Sequence, residues 1–335
     1  MALYPRGLVS ADLPRSQEPS PSVAGLRRPD VLVLGGGGVL GEAWLRALLA
    51  GLESGTGWNL RDCEGFVGTS AGSIVAAVLA AGRRPEAAAG IAASWERATE
   101  RAADDGAPVG AGPGLVQALA RRAGSQALAA AAPVASLTAA ALEPGGALLR
   151  SAILNRGRRP TRSIPQLEQH LAELDSAFDG RLRVAAVDLR TGRRVIFGAP
   201  GAPAADVPEA VLASCSVPWV FRPVEIGGRL YVDGGAWSAA NLDAAPVSAG
   251  TEVLCLNPTA SPRLNRDPLG AVRAFAGATA AAEALLLRRR GARVKVVAPD
   301  AATVRAIGPT LFDPRRRGAV ERAGFAQGRA LAASA

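Results

Sequence analysis

The stretch that most constrains the fold is residues 65–74, GFVGTSAGSI. A short apolar run leads into a G-x-S-x-G pattern at residues 68–72, and a small-residue run that favours a helix follows. Strand, sharp turn and helix form the setting in which this pattern presents a nucleophilic serine. Gly68 and Gly72 leave room for so tight a turn, which would lift the Ser70 hydroxyl out of a sheet. An ordinary Gly/Ser-rich strand-to-helix loop is the alternative interpretation.

Alternating strands and helices predict the architecture around this turn. Residues 31–34 are apolar at every position, as in strands buried on both faces. Residues 252–257 and 293–298 have the same character, and helical patterns separate and follow them. Residues 182–197 predict a hairpin. The chain of 335 residues, 49% apolar, is therefore predicted to form a three-layer α/β/α fold with a largely parallel central sheet.

The order of these segments predicts the domain organisation. Residues 1–29 lack periodicity and carry prolines, serines and scattered charges, which indicates a mobile leader. Residues 30–300 form the α/β domain. Within it, the alanine-rich residues 85–150, broken by prolines and glycines, predict a helical cap beside the site. Residues 301–335 are predicted to be a C-terminal helical segment.

Basic residues dominate the charge of the chain. The net charge is +9, and Lys295 is the only lysine. Arginines cluster at 156–162, 288–293 and 315–317. A nucleic-acid partner is not expected, because no aromatic residues are interleaved with these clusters for base stacking. A peripheral contact with an anionic membrane surface remains open, beside a general compositional bias towards arginine.

Cysteine and histidine contents limit the other site classes. Cys63, Cys215 and Cys255 are too scattered for a disulfide framework or a zinc site. The chain has one histidine, so a histidine-ligated metal is not expected either. No signal peptide or membrane span is visible, which predicts a cytoplasmic protein, with peripheral membrane association open. No cofactor and no metal are predicted.

Activation of Ser70 requires a base, and the sequence offers two. His170 lies on a predicted amphipathic helix and precedes the best acid, whereas the α/β-hydrolase order places histidine last. Asp233 ends a short strand and is followed by Gly234 and Gly235, which would let the backbone turn tightly beside it. An acid at the end of an α/β strand would face the same edge as Ser70. Asp233 is the preferred base, and a plain Asp-Gly turn is the alternative.

A glycine run after the first strand could supply hydrogen-bond donors. The amides of Gly36, Gly37 and Gly38 can form a backbone nest that points at an anion. With Gly41, the run also matches G-x-G-x-x-G, which alone would favour a dinucleotide site. That alternative needs an acid about 20 residues further on, at the end of a second strand; Glu53 is near that distance but lies at a predicted helix end.

The ordered trio of glycine run, G-x-S-x-G and D-G-G resembles the patatin-like phospholipase family. The runs at 213–218 and 226–235 are also similar to the family's approach to its catalytic acid. The resemblance covers roughly residues 30 to 300. It implies a lipid acyl hydrolase with Ser70 as nucleophile, Asp233 as base and an oxyanion hole from the 36–38 amides.

The resemblance implies a lipid or small ester substrate and no metal. One departure is Leu40, where the family often carries a basic residue, so any role of that charge is in question. A non-catalytic lipid-binding member of the fold is a further alternative.

Overall fold

An eight-stranded sheet forms the middle of the molecule. The structure, a computed structural model, describes residues 25–89, 93, 97, 98, 100, 101, 145–156, 160–174, 176–260 and 268–335. The strand order is β5-β6-β3-β2-β1-β7-β8, and β4 pairs with β3. The strands are β1 (Val31–Leu34), β2 (Gly65–Thr69), β3 (Leu182–Asp188), β4 (Arg194–Phe197), β5 (Val224–Ile226), β6 (Arg229–Asp233), β7 (Glu252–Leu256) and β8 (Arg293–Val297).

Strand direction divides the sheet into two parts. β1, β2, β3, β7 and β8 run parallel to one another, whereas β4, β5 and β6 are antiparallel to their neighbours. The β3–β4 hairpin predicted from the sequence is confirmed. Residues 293–297 form the predicted strand, but the prediction that this strand is buried is wrong. β8 lies at the edge of the sheet, and four of its five residues are partly or fully exposed.

Helices cover both faces of the sheet. In the described residues they are α1 (Gly38–Thr56), α2 (Ala71–Ala80), α3 (Gly145–Leu154), α4 (Pro165–Ala172), α5 (Val207–Cys215), α6 (Pro268–Arg289), α7 (Ala301–Ile307) and α8 (Arg317–Ala332). Leu32 and Leu34 of β1 join a core with α1, α2 and α5, while Val31 and Val33 face a second core with α6. This alternation follows from the two-residue period of a strand. The predicted three-layer α/β/α fold is confirmed.

The C-terminal residues pack back onto the beginning of the chain. Residues 301–335, which the sequence analysis places after the α/β domain, contribute α7 and α8, and α8 packs along α1. The buried Trp44 Nε1 donates to Gln327 Oε1 over 2.9 Å. Close approach requires Gly328, because a Cβ there would collide with the Leu48 carbonyl.

The predicted leader and helical cap fall largely outside the described residues. Of the leader, only residues 25–29 are described, and Leu26 is buried there. Of the cap, α3 and a short 3₁₀ turn at Pro85–Ala87 are described. Residues 102–144 lie outside the description.

Candidate active site

Ser70 occupies the turn between β2 and α2 in a strained backbone conformation. Its φ of 50° and ψ of −124° lie outside the regions that side-chain-bearing residues normally adopt. Its amide donates to Ser214 Oγ over 2.8 Å. Its carbonyl accepts from the Ser73 amide over 2.8 Å and from Ser73 Oγ over 2.6 Å. Strain of this kind persists only where the surroundings hold it, and it clusters at functional sites.

The two motif glycines permit close packing around this turn. A Cβ at Gly72 would collide with the Leu34 carbonyl of β1, and one at Gly68 would collide with Ser73 Cα. The start of α2 therefore lies directly against the ends of two strands. Ser70 itself is only 6% exposed.

Asp233 reaches the same level of the sheet by strand register. Thr69 is opposite Ala185 in the β2–β3 pair, and Ala186 is opposite Asp233 in the β3–β6 pair. Asp233 is thus two strands from the nucleophile turn and level with it. Asp233 ends the short strand β6, as the sequence analysis expects, but β6 is antiparallel and pairs with only the last residues of β3.

The Asp233 carboxyl group is buried and contacts Ser70. Burial raises the pKa of Asp233 to about 6, while side-chain hydrogen bonding with Ser70 and the Gly235 amide act to lower it. The Gly235 amide donates to Asp233 Oδ1 over 2.7 Å. The structure therefore brings together the predicted nucleophile and the predicted base. Above pH about 6 the carboxylate is ionised and can accept a proton.

The glycine run borders the nucleophile, but its amides are not equivalent. A Cβ at Gly36 would lie 3.2 Å from Ser70 Cβ, so the loop passes close to the serine. The Gly36 amide donates to the Ala239 carbonyl over 2.7 Å, which removes it from the predicted set of oxyanion donors. No described residue accepts from the Gly37 or Gly38 amide. Gly38, with φ of 61°, begins α1, where free amides collect.

The loop after Asp233 connects the three motifs through Asn241, which the sequence reasoning missed. Asn241 adopts the left-handed conformation, with φ of 50°. Its Nδ2 donates to Thr69 Oγ1 over 3.0 Å and to the Ser238 carbonyl over 2.7 Å. The same loop supplies the Ala239 carbonyl to Gly36. No spacing rule identifies this asparagine, because its partner is 172 positions away along the chain.

The two residues that the alternative interpretations require, Glu53 and His170, lie on helices α1 and α4. Glu53 lies near the far end of α1 and accepts the Leu60 amide over 2.9 Å, so the dinucleotide interpretation lacks its acid beside the glycine run. His170 lies on α4, and it is not among the groups that act on the pKa of Asp233.

Leu40 and Gly41 complete the first motif. The Leu40 side chain is fully buried in the main core, and its amide donates to the Leu311 carbonyl over 2.9 Å. A Cβ at Gly41 would lie 3.1 Å from Pro258 Cβ. The position at which the family often carries a basic residue is therefore a packing position in this chain.

The described part of the chain has neither a metal-binding cluster nor a membrane-spanning helix. Within it, no three His, Cys, Asp or Glu side chains are grouped as a metal site would require. None of the described helices combines the length and apolar character needed to cross a bilayer.

Comparison with known protein families gives one match. The family model described as patatin-like phospholipase matches residues 32–246, more than half of the chain. The crystal structure of VipD from Legionella pneumophila is similar at 14% identity and a TM-score of 0.44, covering 92% of this chain and 68% of VipD. No curated protein sequence matches.

Proposed function

The chain belongs to the patatin-like phospholipase family, a family of lipid acyl hydrolases, and we propose that it cleaves fatty-acyl esters through Ser70 and Asp233. The observation that carries this proposal is the contact between a strained, buried serine and a buried carboxylate on which no basic residue of the described part of the chain acts. A carboxylate in direct contact can take the place of histidine as the base.

The reaction begins with proton transfer. As Ser70 Oγ attacks the ester carbonyl carbon, its proton passes to the Asp233 carboxylate. The carbonyl oxygen becomes an oxyanion, for which the Gly37 and Gly38 amides are the available donors. A well-placed donor of this kind contributes about 3 kcal/mol to transition-state stabilisation.

Collapse of the tetrahedral intermediate completes the first half of the reaction. The ester C–O bond breaks, and the departing alcohol or lysolipid takes the proton from Asp233. Water then attacks the Ser70 ester and gives a proton to Asp233. The fatty acid leaves as the proton returns to Ser70 Oγ, so both residues are regenerated.

A panel of esters tests this proposal. Wild type and Ser70→Ala are assayed with p-nitrophenyl esters of increasing chain length and with phospholipid vesicles. We expect wild-type turnover and a loss of roughly 1,000-fold or more in Ser70→Ala, with unchanged circular dichroism. Equal activity in the two proteins would refute the role of Ser70. Absence of wild-type turnover on every ester would favour a non-catalytic member of the fold.

Thermal unfolding with NAD(P) separates the dinucleotide alternative. We expect no change in Tm, because Glu53, the candidate acid, accepts the Leu60 amide instead. A saturable rise in Tm would support that alternative.

A further inference from the structure

Helix α3 lies at the edge of the sheet that carries Ser70. Its Ser151 Oγ donates to the carbonyls of Leu189 and Arg190, and Asn155 Nδ2 donates to the Leu189 carbonyl over 2.8 Å. These carbonyls belong to the turn after β3, which runs parallel to β2. The carboxyl ends of parallel strands meet at one edge, so α3 lies on the same edge as the nucleophile turn.

Trp237 links α3 to the loop that carries Asp233. The Arg150 guanidinium lies 4.2 Å from the centroid of the Trp237 ring, and Arg150 Nη1 donates to the Gly192 carbonyl over 2.7 Å. Trp237 follows the short turn Gly234–Ala236 directly after Asp233. The outer surface of α3 and the candidate site are thus parts of one edge.

Two adjacent leucines of α3 point into solvent. Leu148 is 67% exposed and Leu149 is 50% exposed. Single exposed apolar residues are common, but an adjacent pair at the edge of a site indicates an interaction surface. These two leucines have no role in the core or in the proposed chemistry.

Exposed arginines lie in the segments that adjoin α3, and acidic residues are absent from those segments. Arg156 follows α3, while Arg190 and Arg193 lie in the turn on which α3 packs, and all three are exposed. Residues 145–156 and 189–193 contain no Asp or Glu. Leucines that can enter a hydrocarbon layer, next to arginines that can contact phosphate groups, match the surface of an anionic membrane.

We propose that Leu148 and Leu149, with Arg156, Arg190 and Arg193, form the surface by which this protein docks on anionic phospholipid membranes. This α3 surface would place the Ser70 edge of the sheet against the lipid. The inference rests on the proposed function for its purpose, but membrane binding can be measured without turnover.

The chain offers a matched control on α6. Leu285 and Leu286 are an adjacent pair that is 49% and 47% exposed, and arginines 288–290 follow them. The end of α6 leads directly into the start of β8, at the opposite edge of the sheet. The α6 pair therefore has similar chemistry but is remote from Ser70.

The test compares Leu148→Ser/Leu149→Ser with Leu285→Ser/Leu286→Ser, each in a Ser70→Ala background for binding and in the active protein for turnover. Binding is measured by co-sedimentation with phosphatidylcholine vesicles, with and without phosphatidylserine. We expect the α3 double variant to bind phosphatidylserine vesicles about tenfold or more weakly, since two leucines no longer enter the lipid. The α6 double variant should bind as wild type does.

Soluble esters separate this inference from the proposed function. The α3 variant should hydrolyse a short-chain p-nitrophenyl ester at the wild-type rate while losing vesicle hydrolysis. Arg190→Gln/Arg193→Gln should weaken binding only when phosphatidylserine is present, and added salt should reduce that difference. Wild-type vesicle binding by the α3 variant, or a larger loss in the α6 variant, would overturn the proposal. So would equal binding to vesicles with and without phosphatidylserine.

Discussion

Asp233 and Glu42 are both buried carboxylic acids close to the glycine run, yet their surroundings differ. Burial raises the pKa of Asp233 to about 6 and that of Glu42 to about 7. Glu42 is paired with Arg46 over 3.2 Å and with Arg317 over 2.8 Å, which ties α1 to α8. Asp233 contacts a hydroxyl group and an amide instead. Burial alone therefore does not identify the base, whereas the chemical nature of the neighbours does.

The first prediction exchanges each carboxylate for its amide. Asp233→Asn removes the proton acceptor but preserves shape, so we expect kcat/KM for a soluble ester to fall roughly 1,000-fold. Glu42→Gln should change it less than about threefold, because Glu42 pairs with Arg46 and Arg317, which join α1 to α8. A large loss of kcat/KM in Glu42→Gln, or no loss in Asp233→Asn, would contradict the assignment of Asp233 rather than Glu42 as the base.

The second prediction concerns Gly38, which begins α1 four residues before Glu42. Gly38 and Gly57 lie at the two ends of α1 with φ of 61° and 72°. A Cβ at Gly38 would lie 2.9 Å from the Leu311 carbonyl, whereas one at Gly57 would have nothing within 4 Å. Gly38→Ala should lower kcat about 100-fold by displacing an oxyanion donor.

Gly57→Ala is the matched control for backbone strain. It should cost about 1 kcal/mol of unfolding free energy and leave kcat unchanged. Chemical denaturation and steady-state kinetics on both variants separate strain from lost catalysis. Equal losses of kcat would indicate that α1 as a whole, rather than the amides at its start, determines activity.

The third prediction is a pH profile. Asp233 must be ionised to accept the Ser70 proton, so kcat/KM should fall about tenfold for each pH unit below about 6. The folded pKa lies above the ordinary value of 3.8, so the unfolded chain releases this proton first as pH rises. Asp233 then lowers the free energy of unfolding progressively between about pH 4 and pH 6.

The raised pKa of Asp233 predicts that the ionised carboxylate, which the reaction requires, destabilises the folded protein. The difference between 3.8 and about 6 corresponds to about 3 kcal/mol at neutral pH, so Asp233→Asn should be more stable than wild type by up to that amount. Urea unfolding at pH 8 and pH 4 measures it, and the difference should shrink at pH 4. An Asp233→Asn protein less stable than wild type at pH 8 would contradict this assignment of the pKa.

Much of the fold could be predicted because its signals are local. β1 and β2 are buried on both faces, β1 is apolar at every position and β2 is polar only at Thr69, and Gly68 and Gly72 are required by collisions within a few residues or with the adjacent strand. The sequence does not show that α1 begins within the glycine run, at Gly38. Glycine has a poor helix propensity, but a Cβ at Gly38 would lie 2.9 Å from the Leu311 carbonyl and from the Phe312 ring, so the packing favours glycine there.

The rest of the site depends on contacts that are distant in the chain. The direction of β6 is not encoded in its own alternation, so the sequence could not show that Asp233 reaches Ser70 through antiparallel register. The Gly36 amide donates to the carbonyl of residue 239, and Asn241 donates to Thr69, so both hydrogen bonds join residues that are far apart in the chain. Neither contact leaves a spacing pattern.

Labelling with a fluorophosphonate, followed by peptide mass spectrometry, tests the central claim most directly. We predict a single covalent adduct on Ser70, formed at the same rate in wild type and Glu42→Gln and roughly 1,000-fold more slowly in Asp233→Asn. An adduct on another residue, or rapid labelling of Ser70 in Asp233→Asn, would contradict the claim that Asp233 activates Ser70.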